Sequence, residues 1–366
     1  MLDVREFGDL LSKKGFNFFT GVPCSYLKDL INFAINEKTY IGVSNEGEAV
    51  SIAAGVWLTG NKSSILIQNS GISNALSPIC SLINIYQIPI LGFVGFRGKP
   101  GTVDEPQHRL TGKITKDLLK KVGITCLELS NDINIATEQM NQANEIINSR
   151  KSFFFLVENN TFQSLTLLRR TDEKIYKKIF LTRYDTINAI VNNVSSGTAI
   201  FATTGMTGRE LYEIKKRKLN FYMTGAMGCV SSIAIGVSIG KPNLPIVIID
   251  GDGALIMRMG SLSTNGYLKP KNTLHILLDN QQHQSTGGQS TNSKNINFIK
   301  LAKSCGYNNC FSIKTKTELE IFIRKWIYKK EFTFLYLKIN AEQTNKPGRP
   351  KETPLELIED FKSNLN

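Results

Sequence analysis

The stretch from Ile246 to Gln289 leaves this chain the fewest choices of fold. Four consecutive apolar residues, Ile246 to Ile249, run into Asp250-Gly251-Asp252-Gly253, and a second run from Thr273 to Leu278 ends on Asp279-Asn280. Unbroken apolar runs bounded by turn residues predict strands buried on both faces, as in a parallel sheet. Between them Leu255, Met259 and Leu262 recur at helical spacing from Ala254 to Gly266, with Gly266 as the stop and Pro270 just beyond. The unit is therefore β-α-β with a right-handed connection, and ligands of such units gather beyond the carboxyl ends of the strands. Asp252 and Asn280 each fall just past a strand end, 28 positions apart, so one crevice receives both side chains and a cation can bridge them. A carboxylate, an amide oxygen and a backbone carbonyl make a hard-oxygen set suited to Mg²⁺ or Ca²⁺, with positions left for phosphate oxygens and water. A tight DGDG turn without a ligand is the competing reading of the same residues.

The alternation extends along the whole chain. Strand-like runs at Phe16–Gly21, Tyr40–Val43, Ser64–Gln68, Ile88–Val94, Thr125–Leu129 and Ser152–Val157 alternate with helical patterns. One of these helices opens at Ser25 as N-cap, another spans Asn74–Ile85, and others span Lys113–Lys121 and Ile135–Ser149. The polar stretch Arg169–Lys178 breaks the pattern and reads as a linker. Alternation then restarts with a helix at Arg183–Asn193, a strand at Thr198–Ala202, a helix to about Lys218, a strand at Asn220–Met223 and a helix at Val230–Ile239. Beyond the opening unit come helices near 296–305 and 317–329, a strand at Phe334–Ile339, and an irregular tail with Pro347, Pro350 and Pro354. The expected fold is α/β: two doubly wound parallel-sheet domains, residues 1–168 and 183–366, joined by a linker at 169–182.

Hydrophobic content of 41% and charged content of 20% suit a globular chain, and no apolar run approaches the roughly 20 residues that cross a bilayer. The N-terminal MLDVREFGDLLSKKG is an amphipathic helix pattern rather than a signal peptide, so the cytoplasm is expected and no membrane partner. Cys305 and Cys310 have no second pair to complete a zinc site, which predicts reduced, structural thiols throughout. The net charge of +13 comes from dispersed lysines, and the run Lys215 to Lys218 reads as a solvated helix end. Without aromatic residues interleaved among clustered arginines, nucleic acid is not an expected partner; without GxGxxG after the first strand, neither is a dinucleotide. The charge agrees weakly with an anionic ligand.

Two further constellations carry chemistry. Asn45-Glu46-Gly47-Glu48 follows a strand and starts a helix, where a carboxylate can exchange a proton at a crevice or simply favour the helix N-terminus. Thr203-Thr204-Gly205 closes a strand before a helix, where N–H groups and a hydroxyl can meet phosphate.

Together these motifs resemble those of thiamin diphosphate enzymes. In that family GDG and a paired Asn mark the diphosphate-binding domain; here they are Gly251-Asp252-Gly253 and Asp279-Asn280, with Asp in the first place of the pair. The resemblance implies that Asp252, Asn280 and the Gln282 carbonyl bind Mg²⁺, that Thr204, Gly205, Gly253 and Ala254 adjoin the cofactor, and that Met227 in TGAMGCVSS lies beneath it. NEGEAVSIAAG resembles the glutamate motif of the pyrimidine-binding domain, which places Glu46 at the cofactor's N1′ and makes it catalytic; Glu48 is the runner-up. A homo-oligomer, at least a dimer, with active sites between subunits is implied. The chain has no room for the central third domain of larger relatives.

GVPCSYLK, QNSGISN, GFRGKPGTVDEPQH, LDNQQHQSTGGQ and the tail's GRP extend the resemblance over nearly the whole chain, to small 2-oxoacid decarboxylases of the phosphonopyruvate type. It implies decarboxylation of 3-phosphonopyruvate to phosphonoacetaldehyde and CO₂, as in phosphonate biosynthesis; sulfopyruvate is the alternative substrate. Ser25, Asn69 and Ser70 can donate hydrogen bonds to a substrate carboxylate, with Asn69 also near the cofactor. Arg97, His108, His283, Ser285 and Thr286 suit a phosphonate, although Arg97 can instead pair with Asp104 or Glu105. His283, or Glu46 through a water, is the candidate proton donor, and His275 inside a strand reads as structural.

Overall fold

Both halves of the chain build the same kind of sheet. The computed structural model describes residues 1–168, 181–340 and 347–365, so most of the expected linker lies outside the described residues. The chain divides into two compact units, Met1–Ile175 with Thr286–Gln289, and Tyr176–Ser285 with Ser290–Asn366.

In the first unit the strands are β1 (Phe16–Gly21), β2 (Tyr40–Gly42), β3 (Lys62–Gln68), β4 (Leu91–Gly95), β5 (Thr125–Glu128) and β6 (Phe153–Val157). Helices α1 (Val4–Lys13), α2 (Lys28–Asn36), α3 (Glu46–Leu58), α4 (Ile72–Pro78), α5 (Asn84–Tyr86), α6 (Arg109–Lys121) and α7 (Ile133–Asn148) connect or flank them. All pairings are parallel, in the order β2-β1-β3-β4-β6-β5. Every residue of β4 and β6 is buried, as an apolar run covered by helices on both faces requires. Phe7 of α1 packs edge-on against Phe93, which stacks on Phe155.

In the second unit the strands are β7 (Ala199–Ala202), β8 (Asn220–Tyr222), β9 (Ile246–Gly251), β10 (Thr273–Asp279) and the short β11 (Gln282–His283); the short β12 (Gln289–Ser290) has its first residue in the first unit and its second in this one, and β13 (Asn309–Ile313) and β14 (Thr333–Lys338) follow. Its helices are α8 (Arg183–Asn193), α9 (Met206–Ile214), α10 (Val230–Gly240), α11 (Asp252–Met257), α12 (Ser261–Leu268), α13 (Phe298–Ser304), α14 (Lys316–Lys329) and α15 (Pro354–Ser363). The six-stranded sheet runs β13-β14-β10-β9-β7-β8, again all parallel. Numbered within its own unit, each sheet has the order 2-1-3-4-6-5. In each, the chain reverses direction between the first and third strands, and that switch point opens a crevice at the carboxyl ends.

The expected α/β architecture stands, with local corrections. The helix expected from Ala254 to Gly266 is two helices, broken where Arg258 leaves helical geometry (φ −128°, ψ 42°) and lies against Gly228. Gly266 does not stop the second one. It sits inside α12 because the Cys305 carbonyl passes so close that a Cβ would come within 1.7 Å of its oxygen; left-handed Lys269 caps the helix instead. Ser25 is not an N-cap: it is the first residue of a 3₁₀ turn, and its hydroxyl accepts a charge-assisted hydrogen bond from Arg97 instead (3.1 Å). The expected helix Asn74–Ile85 is α4, a π turn over Ile79–Ile83 and the single turn α5, with Pro78 removing a backbone donor at the first join.

The short strands β11 and β12 escaped the sequence reading, and so did two larger elements. Edge strand β13 is half exposed and too polar to read as a buried run. Tail helix α15 starts from a Thr353/Glu356 capping box with Pro354 at its first position, and Phe361 docks edge-on against Phe201 and Phe221.

Candidate active site

Nearly all the candidate residues lie past the carboxyl end of a parallel strand. In the second unit, Asp252 follows β9, and the β9–β10 pairing that ends at Gly251 and Leu278 sets it beside Asp279, with Asn280 next. Asp252 is 3% exposed; its carboxylate accepts a short hydrogen bond from the Thr291 hydroxyl. Burial first, and then the neighbouring charge of Asp279, push its carboxyl up to about 7. Asp279 is satisfied within the fold: its oxygens accept from the Gln281 N–H (3.1 Å), the Ser293 hydroxyl (2.9 Å) and the Tyr336 hydroxyl (2.8 Å). Asp252 is likewise met by neutral donors, the Thr291 hydroxyl and the N–H groups of Asp252 and Gly253, which do not offset its burial beside Asp279.

The Asn280 amide oxygen accepts from the Gln282 N–H (3.1 Å), and its NH₂ donates to the Gln284 Oε1 (3.4 Å). No group of three or more His, Cys, Asp or Glu side chains among the described residues is placed to hold a metal. A cation at Asp252 therefore takes its other ligands from amide, carbonyl and bound-ligand oxygens, the pattern of Mg²⁺ shared with a phosphate. On the charge demand of Asp252 and the oxygen donors around it, the residues fit Mg²⁺ and a diphosphate.

Three glycines close the surroundings. A Cβ on Gly253 would lie 2.9 Å from the His283 ring, one on Gly205 would lie 3.8 Å from the Ser285 hydroxyl, and one on Gly228 would lie 2.7 Å from the Ala254 carbonyl oxygen. The last brings Met227, held between positive-φ Ala226 and Gly228, next to the start of α11. Thr204 donates to the Thr224 carbonyl (3.2 Å), and Gly205, at φ 89°, opens α9. Burial pushes the His283 imidazolium down to about 4, so the ring is neutral near pH 7. Wholly buried His275 stands 3.4 Å from Asp250, with its other nitrogen 3.2 Å from the Tyr307 hydroxyl, in keeping with a structural role.

In the first unit, Glu46 begins α3 after β2. It is 5% exposed, accepts from the Asn74 amide (2.8 Å) and lies against Gly71, where a Cβ would meet its Oε1 at 2.2 Å. Exposed Glu48 is tied back to the Ser44 N–H and hydroxyl (3.1 and 2.9 Å), a helix-start contact. Asn69 donates both amide hydrogens inward, to the Arg97 carbonyl (2.7 Å) and the Thr115 hydroxyl (3.1 Å), and its buried Oδ1 accepts no hydrogen bond from the described residues. It can therefore accept from a ligand, whereas the expected donation to a carboxylate would need one of those bonds broken. Ser70 accepts from Gln68 (2.6 Å).

Arg97 follows β4 and forms a forked pair with Asp104, as one of the two readings of its loop anticipated; it also reaches Ser25 and covers the Tyr26 ring. Burial opposes ionisation of Asp104, but hydrogen bonds from Arg97 and from the Glu105 and Gly98 N–H groups hold its carboxyl well below the usual range. Ser25, Asn69 and Arg97 thus form one cluster. His108 is buried in the turn Pro106–His108, its carbonyl pressed on Gly98. Ser285 belongs to the second unit and Thr286 to the first. Thr291, Ser293, Tyr336, Gly71 and Asn74 were missed: hydroxyls and a glycine carry no spacing signal, and QNSGISN was read only for its first residues.

Residues 203–337 match the family described as thiamine pyrophosphate enzyme, C-terminal TPP binding domain. With the fold and the Asp252 site, this defines a thiamin diphosphate-dependent enzyme. The chain is 33% identical to a phosphonopyruvate decarboxylase of Streptomyces viridochromogenes over 96% of its own length and 92% of the relative's. It is 27% identical to a sulfopyruvate decarboxylase of Methanosarcina acetivorans, over 98% and 96%. A sulfopyruvate decarboxylase subunit beta of Methanocaldococcus jannaschii is 44% identical over 34% of this chain and 66% of that subunit. The chain belongs to the phosphonopyruvate decarboxylase family.

Proposed function

We propose that this protein decarboxylates 3-phosphonopyruvate to phosphonoacetaldehyde and CO₂. The observation that carries the reading is the end-to-end likeness to a protein of that activity, on a chain whose buried Asp252 calls for a cation. When bound, thiamin diphosphate supplies a carbon nucleophile and an electron sink for the pair that departing CO₂ leaves behind. Asp252, the Asn280 amide oxygen and the Gln282 carbonyl hold Mg²⁺. Thr204, Gly205, Gly253 and Ala254 present N–H groups to the diphosphate, the Thr204 hydroxyl being held by the Thr224 carbonyl, and Met227 supports the ring system. Glu46 holds and moves a proton at the pyrimidine N1′, with Asn74 orienting its carboxylate, and Asn69 accepts a hydrogen bond through Oδ1.

Toward the substrate, Arg97 donates to Ser25 and so leaves the Ser25 hydroxyl hydrogen for an anion, and Gln68 does the same for Ser70. His108, Ser285, Thr286 and neutral His283 complete the phosphonate contacts. A dianion beside His283 raises its affinity for a proton, so the ring can pick up the proton it later gives to product after substrate has bound.

The chain also associates with itself, at least as a dimer, so that the Glu46 half of one copy serves the Asp252 half of another. The likeness to a sulfopyruvate decarboxylase favours sulfopyruvate as the second substrate to test. Apo-protein given thiamin diphosphate and Mg²⁺ is assayed in parallel on phosphonopyruvate, sulfopyruvate and pyruvate. CO₂ release with the highest kcat/KM on phosphonopyruvate is expected; a preference for sulfopyruvate, or no release from any, overturns the reading.

A further inference from the structure

Beneath the loop that carries Asn280 lies a buried ion pair that the reaction itself does not use. Arg183, the first residue of α8, is 7% exposed and Glu210 of α9 is 4% exposed. The guanidinium donates to both Glu210 oxygens (3.0 and 2.7 Å), and its third arm donates to the Gln284 Oε1 (2.6 Å). That same oxygen accepts the Asn280 NH₂ at 3.4 Å.

The direction of each amide follows from donor and acceptor logic. A guanidinium only donates, so the Gln284 amide must turn its oxygen toward Arg183. An oxygen there accepts only from the NH₂ of Asn280, so the Asn280 oxygen faces the other way, toward the Gln282 N–H (3.1 Å) and the crevice at Asp252. The reversed Asn280 amide would set oxygen against oxygen at Gln284 and N–H against N–H at Gln282. Glu210 holds the guanidinium by two parallel bonds, which fixes the angle of the arm left for Gln284.

We infer that Arg183 is a positioning residue for metal binding: through Gln284 it commits the Asn280 amide oxygen to the cation. The inference rests on the reading of Asn280 as a Mg²⁺ ligand given above. Partners that orient metal ligands in this way change metal affinity about ten- to a hundredfold when lost.

The test is calorimetric titration of Mg²⁺ into the full-length protein at fixed thiamin diphosphate, with melting curves of the metal-free proteins alongside. Gln284→Leu keeps the shape of the side chain and removes the acceptor; Arg183→Lys keeps the charge and loses the fork whose fixed angle aims one arm at Gln284. Arg183→Met with Glu210→Leu removes the buried pair without stranding a charge. All three are expected to raise the Mg²⁺ Kd about tenfold or more while kcat at saturating Mg²⁺ stays within about threefold. Asn280→Ala separates the two readings. If it weakens Mg²⁺ binding and a folded Gln284→Leu does not, the role of Arg183 is overturned alone; if Asn280→Ala leaves binding unchanged, the ligand set falls and this inference with it. A kcat loss in Gln284→Leu with an unchanged Mg²⁺ Kd also overturns it.

Discussion

At Glu46 the chemistry depends on what a neighbour lacks. The carboxylate lies against Gly71, so Gly71→Ala must displace it: the new Cβ would stand 2.2 Å from Oε1. Because the hydrogen bond from Asn74 meets Glu46 at the far end of its side chain, the carboxylate yields before the helix does. Gly71→Ala is expected to lower turnover toward that of Glu46→Gln, at least about a hundredfold below the parent, with cofactor affinity retained. Glu48→Gln, altering a helix-start contact, should stay within about twofold. Steady-state kinetics paired with cofactor calorimetry checks all three, and normal turnover in Glu46→Gln would remove the assignment.

A second residue-scale expectation concerns Glu128 at the end of β5. Burial opposes its ionisation, but hydrogen bonds from Lys116 and Lys99 hold its carboxyl down to about 2. A depressed carboxyl stabilises the fold above its unfolded pKa, near 4.5, and the contribution fades as pH falls from there toward 2. The urea midpoint of Glu128→Gln is therefore expected to fall less than the parent's between pH 5 and 3; equal slopes would show that the pair contributes nothing, as exposed pairs often do.

At the scale of elements, close backbone approach decides where helices run. Helix α12 continues through Gly266 because no side chain fits between it and Cys305; Gly266→Ala puts a carbon 1.7 Å from a carbonyl oxygen that belongs to main chain and cannot rotate away. Such overpacking costs about 1–3 kcal/mol, seen as a lower melting temperature without a change in the Mg²⁺ Kd of the folded fraction. The sequence shows Gly266 but not its neighbour 39 positions later, which is why it reads as a stop. Strands β9 and β10 were legible because each carries a buried, mainly apolar run that ends on turn residues. Strand β13 was not, because an edge strand need satisfy only one partner and tolerates polar residues. The capping box of α15 stood in the sequence as Thr353 and Glu356 and was passed over among prolines, one of which, Pro354, favours the helix start.

For the whole molecule, two sheets of like order give two half-sites, one holding Glu46 and the other Asp252. If sites form between copies, as proposed, mixing equal amounts of Glu46→Gln and Asp252→Ala under conditions of subunit exchange restores up to about a quarter of parental activity, because about half of random dimers are mixed and one of the two sites in each pairs the intact halves. Activity that stays at the level of the separate variants after exchange, with mixed oligomers present, would mean that each copy uses its own halves.

The order of apolar runs, turns and short motifs by itself determined the α/β class, the two halves and the Asp252–Asn280 pair, because buried parallel strands and the residues at their ends are local patterns. Which glutamate is buried, which way each amide points and that Arg97 is already paired were decided by the tertiary structure alone. Some of these contacts are short in sequence, such as Arg97 with Asp104 and Asn280 with Gln284, and others are long, such as Arg183 with Gln284; in each case the packing of helices and strands chooses between alternatives that the local pattern leaves open.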